Sequence, residues 1–185
     1  MSKARLTVAF LAALSLFWLI HPGTEQRSSS DGWSAVKQWV RSEFPEVEQV
    51  SVERLSSWLD SDEPPPLLLD VREDAEFRVS HLPGAIRIDP DVRKPKLPEG
   101  IDMETPIVAY CSVGYRSSAL VERLRRQGYT RVMNLEGSIF EWANEGYEVV
   151  RDEVEVLEVH PYDETWGRWL APELHAYPAD AYASD

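Results

Sequence analysis

Cysteine is nearly absent from this 185-residue chain. Cys111 is the only one, so no intramolecular disulfide can form in any compartment, and the thiol is present either for packing or for chemistry. Basic residues are also scarce: 19 Lys and Arg stand against 32 Asp and Glu, for a formal net charge of −13. The acidic excess continues past residue 150, and no basic face is available to neutralise phosphates, so nucleic acid is not an expected partner. Metal-ligand spacing is missing too. His160 and His175 have no cysteine or carboxylate at metal-site intervals, and neither a metal nor another cofactor is expected.

Long apolar runs are absent except at the start. Lys3 and Arg5 precede an uncharged stretch, residues 6–20, that has the n-region and h-region pattern of a secretory signal. At ~1.5 Å per helical residue it falls short of a ~30 Å hydrocarbon core, which favours a signal peptide. No Ala-x-Ala-like site follows Ile20, so an uncleaved anchor stays open, while the lack of a nearby cysteine excludes a lipoprotein signal. In either case the two cations leave the bulk of the chain on the non-cytoplasmic side. The expectation is an exported or membrane-held protein.

The whole chain is 43% hydrophobic and 28% charged, the balance of a packed domain. Residues 1–23 are expected to form the signal peptide or anchor, residues 24–32 a flexible Ser-rich tether, residues 33–150 the domain, and residues 151–185 an acidic, aromatic extension. Trp33, Val36, Val40 and Phe44 recur at helical spacing before Pro45, predicting a short amphipathic helix whose aromatics belong to the core. Ser51 is an N-cap candidate for a second helix. The short apolar run at residues 67–71 reads as a fully buried strand, and residues 85–88, 106–110 and 132–135 as further short strands. Between the last two lies a helical pattern over residues 117–127, stopped by Gly128. This βαβα order predicts an α/β fold: an open parallel sheet with helices on both faces, binding its ligand at the carboxyl ends of the strands.

One of those strands runs directly into Cys111-Ser112-Val113-Gly114-Tyr115-Arg116, followed by a helix. A thiol above a helix N-terminus meets unpaired amides, the positive end of the helix dipole and the Arg116 charge, all of which favour the thiolate. Gly114 lets the loop curl so that its amides face inward.

Here the sequence resembles a family. Leu69-Asp70-Val71-Arg72-Glu73, Glu76-Phe77, Ser80-His81-Leu82-Pro83-Gly84-Ala85, the loop from Cys111, and Leu135-Glu136-Gly137 through Trp142 are similar, in order and spacing, to single-domain rhodanese sulfurtransferases over roughly residues 50–149. The resemblance implies that Cys111 takes the outer sulfur of a small donor such as thiosulfate, mercaptopyruvate or a polysulfide. The resulting persulfide then passes its sulfur to a thiol or cyanide-like acceptor. Ser112, Val113, Gly114, Tyr115 and Arg116 would form the cradle, with Arg116 holding an anionic donor. Asp70 and Arg72 would tie neighbouring loops together, His81 would be a structural histidine or a proton donor, and Glu136 would border the pocket mouth or cap a helix. Ser138 and Ser80 stand where the family commonly has glycine, which leaves the pocket shape at the first of these corners open.

Two rival readings are a phosphatase or arsenate reductase, and a redox-sensing or partner-binding module that does not turn over. The phosphatase-type loop resembles Cys-x5-Arg, whereas four residues separate Cys111 from Arg116, a tighter cradle suited to one sulfur atom. In the extension, Trp166 and Trp169 would either pack back onto the domain or dock a protein partner.

Overall fold

A computed structural model describes residues 24–178. Its centre is a five-stranded, all-parallel sheet made of β1 (Gln49–Val50), β2 (Leu67–Asp70), β3 (Ile86–Arg87), β4 (Ile107–Tyr110) and β5 (Val132–Leu135), in the order β1-β5-β4-β2-β3. The strands expected at residues 67–71, 85–88, 106–110 and 132–135 are all present, the second shortened to Ile86–Arg87; β1 is not foreseeable, because Gln49–Val50 forms no apolar run.

Both faces of the sheet are covered at β2, β4 and β5, which explains why these strands read as largely apolar runs. Along β4 the side chains alternate: Val108 and Tyr110 join one buried cluster, Ile107 and Ala109 the other, and Cys111 continues the second. The first cluster is closed by α2 (Val52–Leu59) and α5 (Ser138–Asn144), through Leu55, Ile139 and Phe140. The second is closed by Val40 of the first helix, by Phe44 just after its end, and by Leu120, Val121 and Leu124 of α4 (Tyr115–Arg126). Each such side chain, fully buried, contributes about 1.5–3 kcal/mol.

The first helix, α1 (Thr24–Glu43), corrects one expectation. Residues 24–32 are helical, not a tether. Glu25, Gln26 and Arg27 are good helix formers, no proline interrupts the segment, and packing of Val40 and Phe44 holds the far end in register. The expected signal peptide or anchor, residues 1–23, lies outside the described residues, among which no helix is long and apolar enough to cross a membrane.

Topology positions the site. From β2 the chain passes through α3 (Asp74–Val79) to β3 on one side, whereas from β4 it passes through α4 to β5 on the other. The crevice between the carboxyl ends of β2 and β4 is therefore the switch point at which such sheets bind ligands.

The extension folds back onto this domain. β6 (Val149–Arg151) and β7 (Val154–Val156) form a hairpin whose turn residues Asp152 and Glu153 both have positive φ, 51° and 62°, as a type I′ turn requires. Val159 and Leu170 are buried in the first cluster, and Asn144 of α5 bonds both the Trp169 carbonyl and the Ala171 amide, each at 2.8 Å. Trp169 packs against Trp33 with ring centroids 5.9 Å apart.

Candidate active site

Cys111 follows the last residue of β4, and α4 begins at Tyr115, two residues earlier than its apolar pattern suggests. Gly114 is the N-cap, with φ +105°, so the chain reverses sharply enough for its amide to donate to Cys111 Sγ at 3.2 Å. The loop is anchored from behind by α5. The Cys111 amide donates to Ser138 Oγ (3.1 Å), whose hydroxyl donates to the Leu135 carbonyl, while the amides of Ile139 and Phe140 donate to the carbonyls of Cys111 and Ser112. Ser138 itself adopts φ +53°, so serine at this corner keeps the left-handed turn and adds a hydroxyl that holds the cysteine backbone.

Gly137, the N-cap of α5, is more constrained. A Cβ there would lie 2.6 Å from Glu141 Cβ, and its φ is +68°. Gly137→Ala is expected to destabilise the domain by about 1–3 kcal/mol, read as a lower midpoint in urea. A midpoint equal to that of wild type would mean that the turn carries no such constraint.

Glu76, on α3, is the residue that sequence reasoning passed over. Its carboxylate is only 2% exposed and accepts from Arg116 Nη1 and Nη2, both at 2.8 Å, and from the Ser112 hydroxyl at 2.9 Å; Arg116 Nη2 also donates to Ser112 Oγ. The pair is bidentate, the strongest form of this contact. Its signal was the spacing Glu73-x-x-Glu76, a capping box that fixes α3 and aims Glu76. Burial pushes the Glu76 carboxyl up, but the hydrogen bonds and charge of Arg116 outweigh it and leave it below the ordinary carboxylate value.

For Cys111, burial likewise pushes the thiol up. The Arg116 charge, the hydroxyl and amide of Ser117 and the amide of Gly114 together outweigh it, leaving the thiol below its ordinary value. The rate of Cys111 alkylation should accordingly rise with pH through a midpoint below that of an unperturbed thiol, because only the thiolate reacts. Arg116→Gln should move that midpoint up. A midpoint unchanged by Arg116→Gln would remove the guanidinium from the list of causes.

Above the loop lies a pocket of about 280 Å³ bordered by Cys111, Ser112, Val113, Tyr115 and Arg116, and also by Trp39 of α1 and by Tyr162 and Trp166 of the extension. The expectation that the aromatics of the first helix are core is corrected at Trp39. Its indole stacks on Tyr115 (4.9 Å) and on Trp166 (6.0 Å) at the pocket, one position off the Trp33-Val36-Val40-Phe44 stripe. Tyr162 covers the Arg116 guanidinium at 4.9 Å.

The other expected residues stand apart from the pocket. Asp70 and Arg72 are both fully buried; Arg72 donates to the Asp70 carboxylate through Nε and Nη2 (2.7–3.1 Å) and to the Ser80 carbonyl (2.5 Å), joining the end of β2 to the loop after α3. His81 stacks on Phe77 at 3.9 Å, with Nδ1 3.1 Å from the Phe77 carbonyl, and its backbone bridges Val150. Glu136 pairs with Arg41 of α1 at 2.6 Å rather than bordering the pocket. Among the described residues no cluster of His, Cys, Asp and Glu could hold a metal ion.

A thiolate-favouring cysteine at the carboxyl end of the central strand of an open parallel sheet, held by a strand–loop–helix turn, defines the class of domain. A model of the Rhodanese-like domain family matches residues 51–145, and the chain belongs to that family. Among curated relatives, tRNA uridine(34) hydroxylase of Erwinia tasmaniensis is 26% identical over 155 residues, 80% of this chain and 42% of that protein. The Escherichia coli enzyme of the same name is 27% identical over 121 residues, 63% of this chain and 35% of that one. The chain thus spans less than half the length of these relatives. Two solved structures show the same fold. The rhodanese-like domain of an Anabaena protein has a TM-score of 0.51 at 24% identity, covering 56% of this chain and 78% of that one. A Rhodopseudomonas palustris protein described as a possible tyrosine phosphatase has a TM-score of 0.50 at 20% identity, covering 64% and 94%.

Proposed function

We propose that the domain is a sulfurtransferase that carries sulfane sulfur as a persulfide on Cys111. The observation that carries this reading is the thiol itself: 1% exposed, bordering the pocket, accepting the Gly114 amide at 3.2 Å and held toward the thiolate by Arg116. With thiosulfate as donor, the Cys111 thiolate attacks the outer sulfur, the S–S bond breaks and sulfite leaves with the electron pair. An acceptor such as cyanide then attacks the outer sulfur of the persulfide, leaves as thiocyanate and regenerates the thiolate. The amide of Gly114 and the fixed charge of Arg116 stabilise negative charge at the sulfur without reorganising.

The loop, with four residues between Cys111 and Arg116, supports sulfur over phosphate or arsenate chemistry. The proposal includes export or anchoring through residues 1–23. Sequencing the N-terminus of the protein from its host tests that part: a start after His21 means secretion, retention of Lys3 an anchor, and retention without membrane association would remove both.

A second reading comes from the named relatives, in which the domain would serve hydroxylation of uridine in tRNA. A net charge of −13 weighs against binding RNA alone. The deciding experiment measures thiocyanate release from thiosulfate, mercaptopyruvate and polysulfide with cyanide, in wild type and in Cys111→Ala. Release that depends on Cys111 supports the transferase. No release from any donor, together with hydroxylated uridine in tRNA exposed to the protein, would favour the second reading.

A further inference from the structure

Three of the pocket walls lie outside the segment matched to the family, residues 51–145: Trp39 precedes it, and Tyr162 and Trp166 follow it. These rings are arranged as a surface. Trp39 stacks nearly parallel on Tyr115, at 4.9 Å and 9°, and on Trp166 at 6.0 Å and 22°. Yet Trp39, Tyr115 and Tyr162 remain 37, 38 and 44% exposed, so much of their area is not used in packing against the domain. Aromatic area left bare beside a nucleophile is area available to a ligand.

Tyr162 is placed there against its backbone preference. Its φ is +68°, in the left-handed region that bulky residues rarely adopt. The turn is held by the Tyr162 amide donating to His160 Nδ1 at 2.9 Å and by Asp163 capping α6 (Glu164–Gly167) through the amides of Thr165 and Trp166. The same short segment thus fixes Tyr162 over Arg116 and Trp166 beside Trp39.

The charge at the pocket points the same way. Among the described residues Arg116 is the only cation on its border, and its two terminal nitrogens are engaged by Glu76 and Ser112 while Tyr162 covers its face. A guanidinium that already serves a buried carboxylate and the Cys111 thiolate has little attraction left over for a dianion. A small dianion such as thiosulfate would find neither a free cation nor contact with the rings.

We propose that Trp39, Tyr162 and Trp166 select an organic sulfane donor, one whose transferable sulfur is attached to an apolar, preferably aromatic, body. This inference rests on the sulfurtransferase reading and specifies its donor. For an aryl thiosulfonate, the Cys111 thiolate attacks the terminal sulfur, the S–S bond breaks and the aryl sulfinate leaves with the electron pair. The single negative charge of the donor lies toward the Gly114 amide and its ring against the indoles.

Benzenethiosulfonate and thiosulfate are a matched pair of probes, since a phenyl ring replaces one anionic oxygen. The full chain is assayed with each donor and cyanide, and the ratio of kcat/KM for the aryl donor to that for thiosulfate is compared between variants, so that intrinsic donor reactivity cancels. Trp166→Ala and Tyr162→Leu are each expected to lower the ratio about threefold to tenfold, the scale of one aromatic contact, while Trp166→Phe keeps it within about twofold of wild type. Glu76→Gln is expected to shift it toward thiosulfate by at least about threefold at low ionic strength, by freeing the Arg116 charge. Circular dichroism confirms that each variant is folded. If both donors load Cys111 but the ratio is unmoved by Trp166→Ala and Tyr162→Leu, the donor selection is overturned and the sulfurtransferase stands. If neither donor loads Cys111, both are overturned.

Discussion

Asp70→Ala is expected to cost the domain about 3–5 kcal/mol, the largest stability effect of any single substitution considered for this fold. Asp70 and Arg72 are both 0% exposed. Asp70 receives the Arg72 amide and three side-chain contacts, and Arg72 reaches on to the Ser80 carbonyl. Truncating the carboxylate leaves a guanidinium without its counter-charge in a site that water cannot enter, and burial alone disfavours that charge. Against a typical domain stability of about 5–15 kcal/mol, the loss is enough to unfold a substantial fraction of the protein. Asp70→Asn retains an oxygen acceptor and should lose less. Urea unfolding of the two variants checks this: a midpoint for Asp70→Ala corresponding to a loss under about 1 kcal/mol would mean that water reaches Arg72 or that the pair is dispensable.

Cys111→Ser is expected to have the largest effect on activity, lowering sulfur transfer by at least about a thousandfold, the scale seen when a covalent nucleophile is removed. Stability should change by no more than about 1 kcal/mol, because the hydroxyl can still accept the Gly114 amide. A serine needs a base to become nucleophilic, and none stands beside it. His81 is committed to Phe77, and among the described residues no histidine borders the pocket. The check is donor-to-cyanide transfer alongside urea unfolding of the same preparation. Residual turnover above about a tenth of wild type would take the nucleophile away from this position.

The difference between these two sites also shows what the sequence made legible. Leu67 through Asp70 and Ile107 through Tyr110 announce themselves because both sheet faces are buried and every position is apolar until the carboxyl end. Cys111, Gly114 and Arg116 are legible together because a strand, a glycine turn and a helix start follow one another within a few residues. Glu76 was not, although it lies in the matched segment: its partner Arg116 is 40 positions away, and no local periodicity reports a contact across the sheet end. Ser138 stood out as a departure from glycine, but only the fold shows that it keeps φ +53° and turns its hydroxyl to the Cys111 amide.

The ends of the chain were the hardest to read. Composition marked residues 24–32 as a tether, yet a helix continues through them, since serine is only mildly unfavourable there and the rest of α1 is anchored. Trp39 and Trp166 lie 127 positions apart and meet over Cys111's loop, a contact that no spacing rule could find. The extension therefore does more than cover the core: it supplies two of the walls of the pocket.

The most direct measurement of the central claim is the intact mass of the chain after incubation with thiosulfate or benzenethiosulfonate, followed by peptide mapping. The expected result is the addition of one sulfur atom to the peptide containing Cys111, removed again by cyanide and absent from Cys111→Ala. No addition from any sulfane donor, or equal addition to the alanine variant, would contradict a persulfide carried on Cys111.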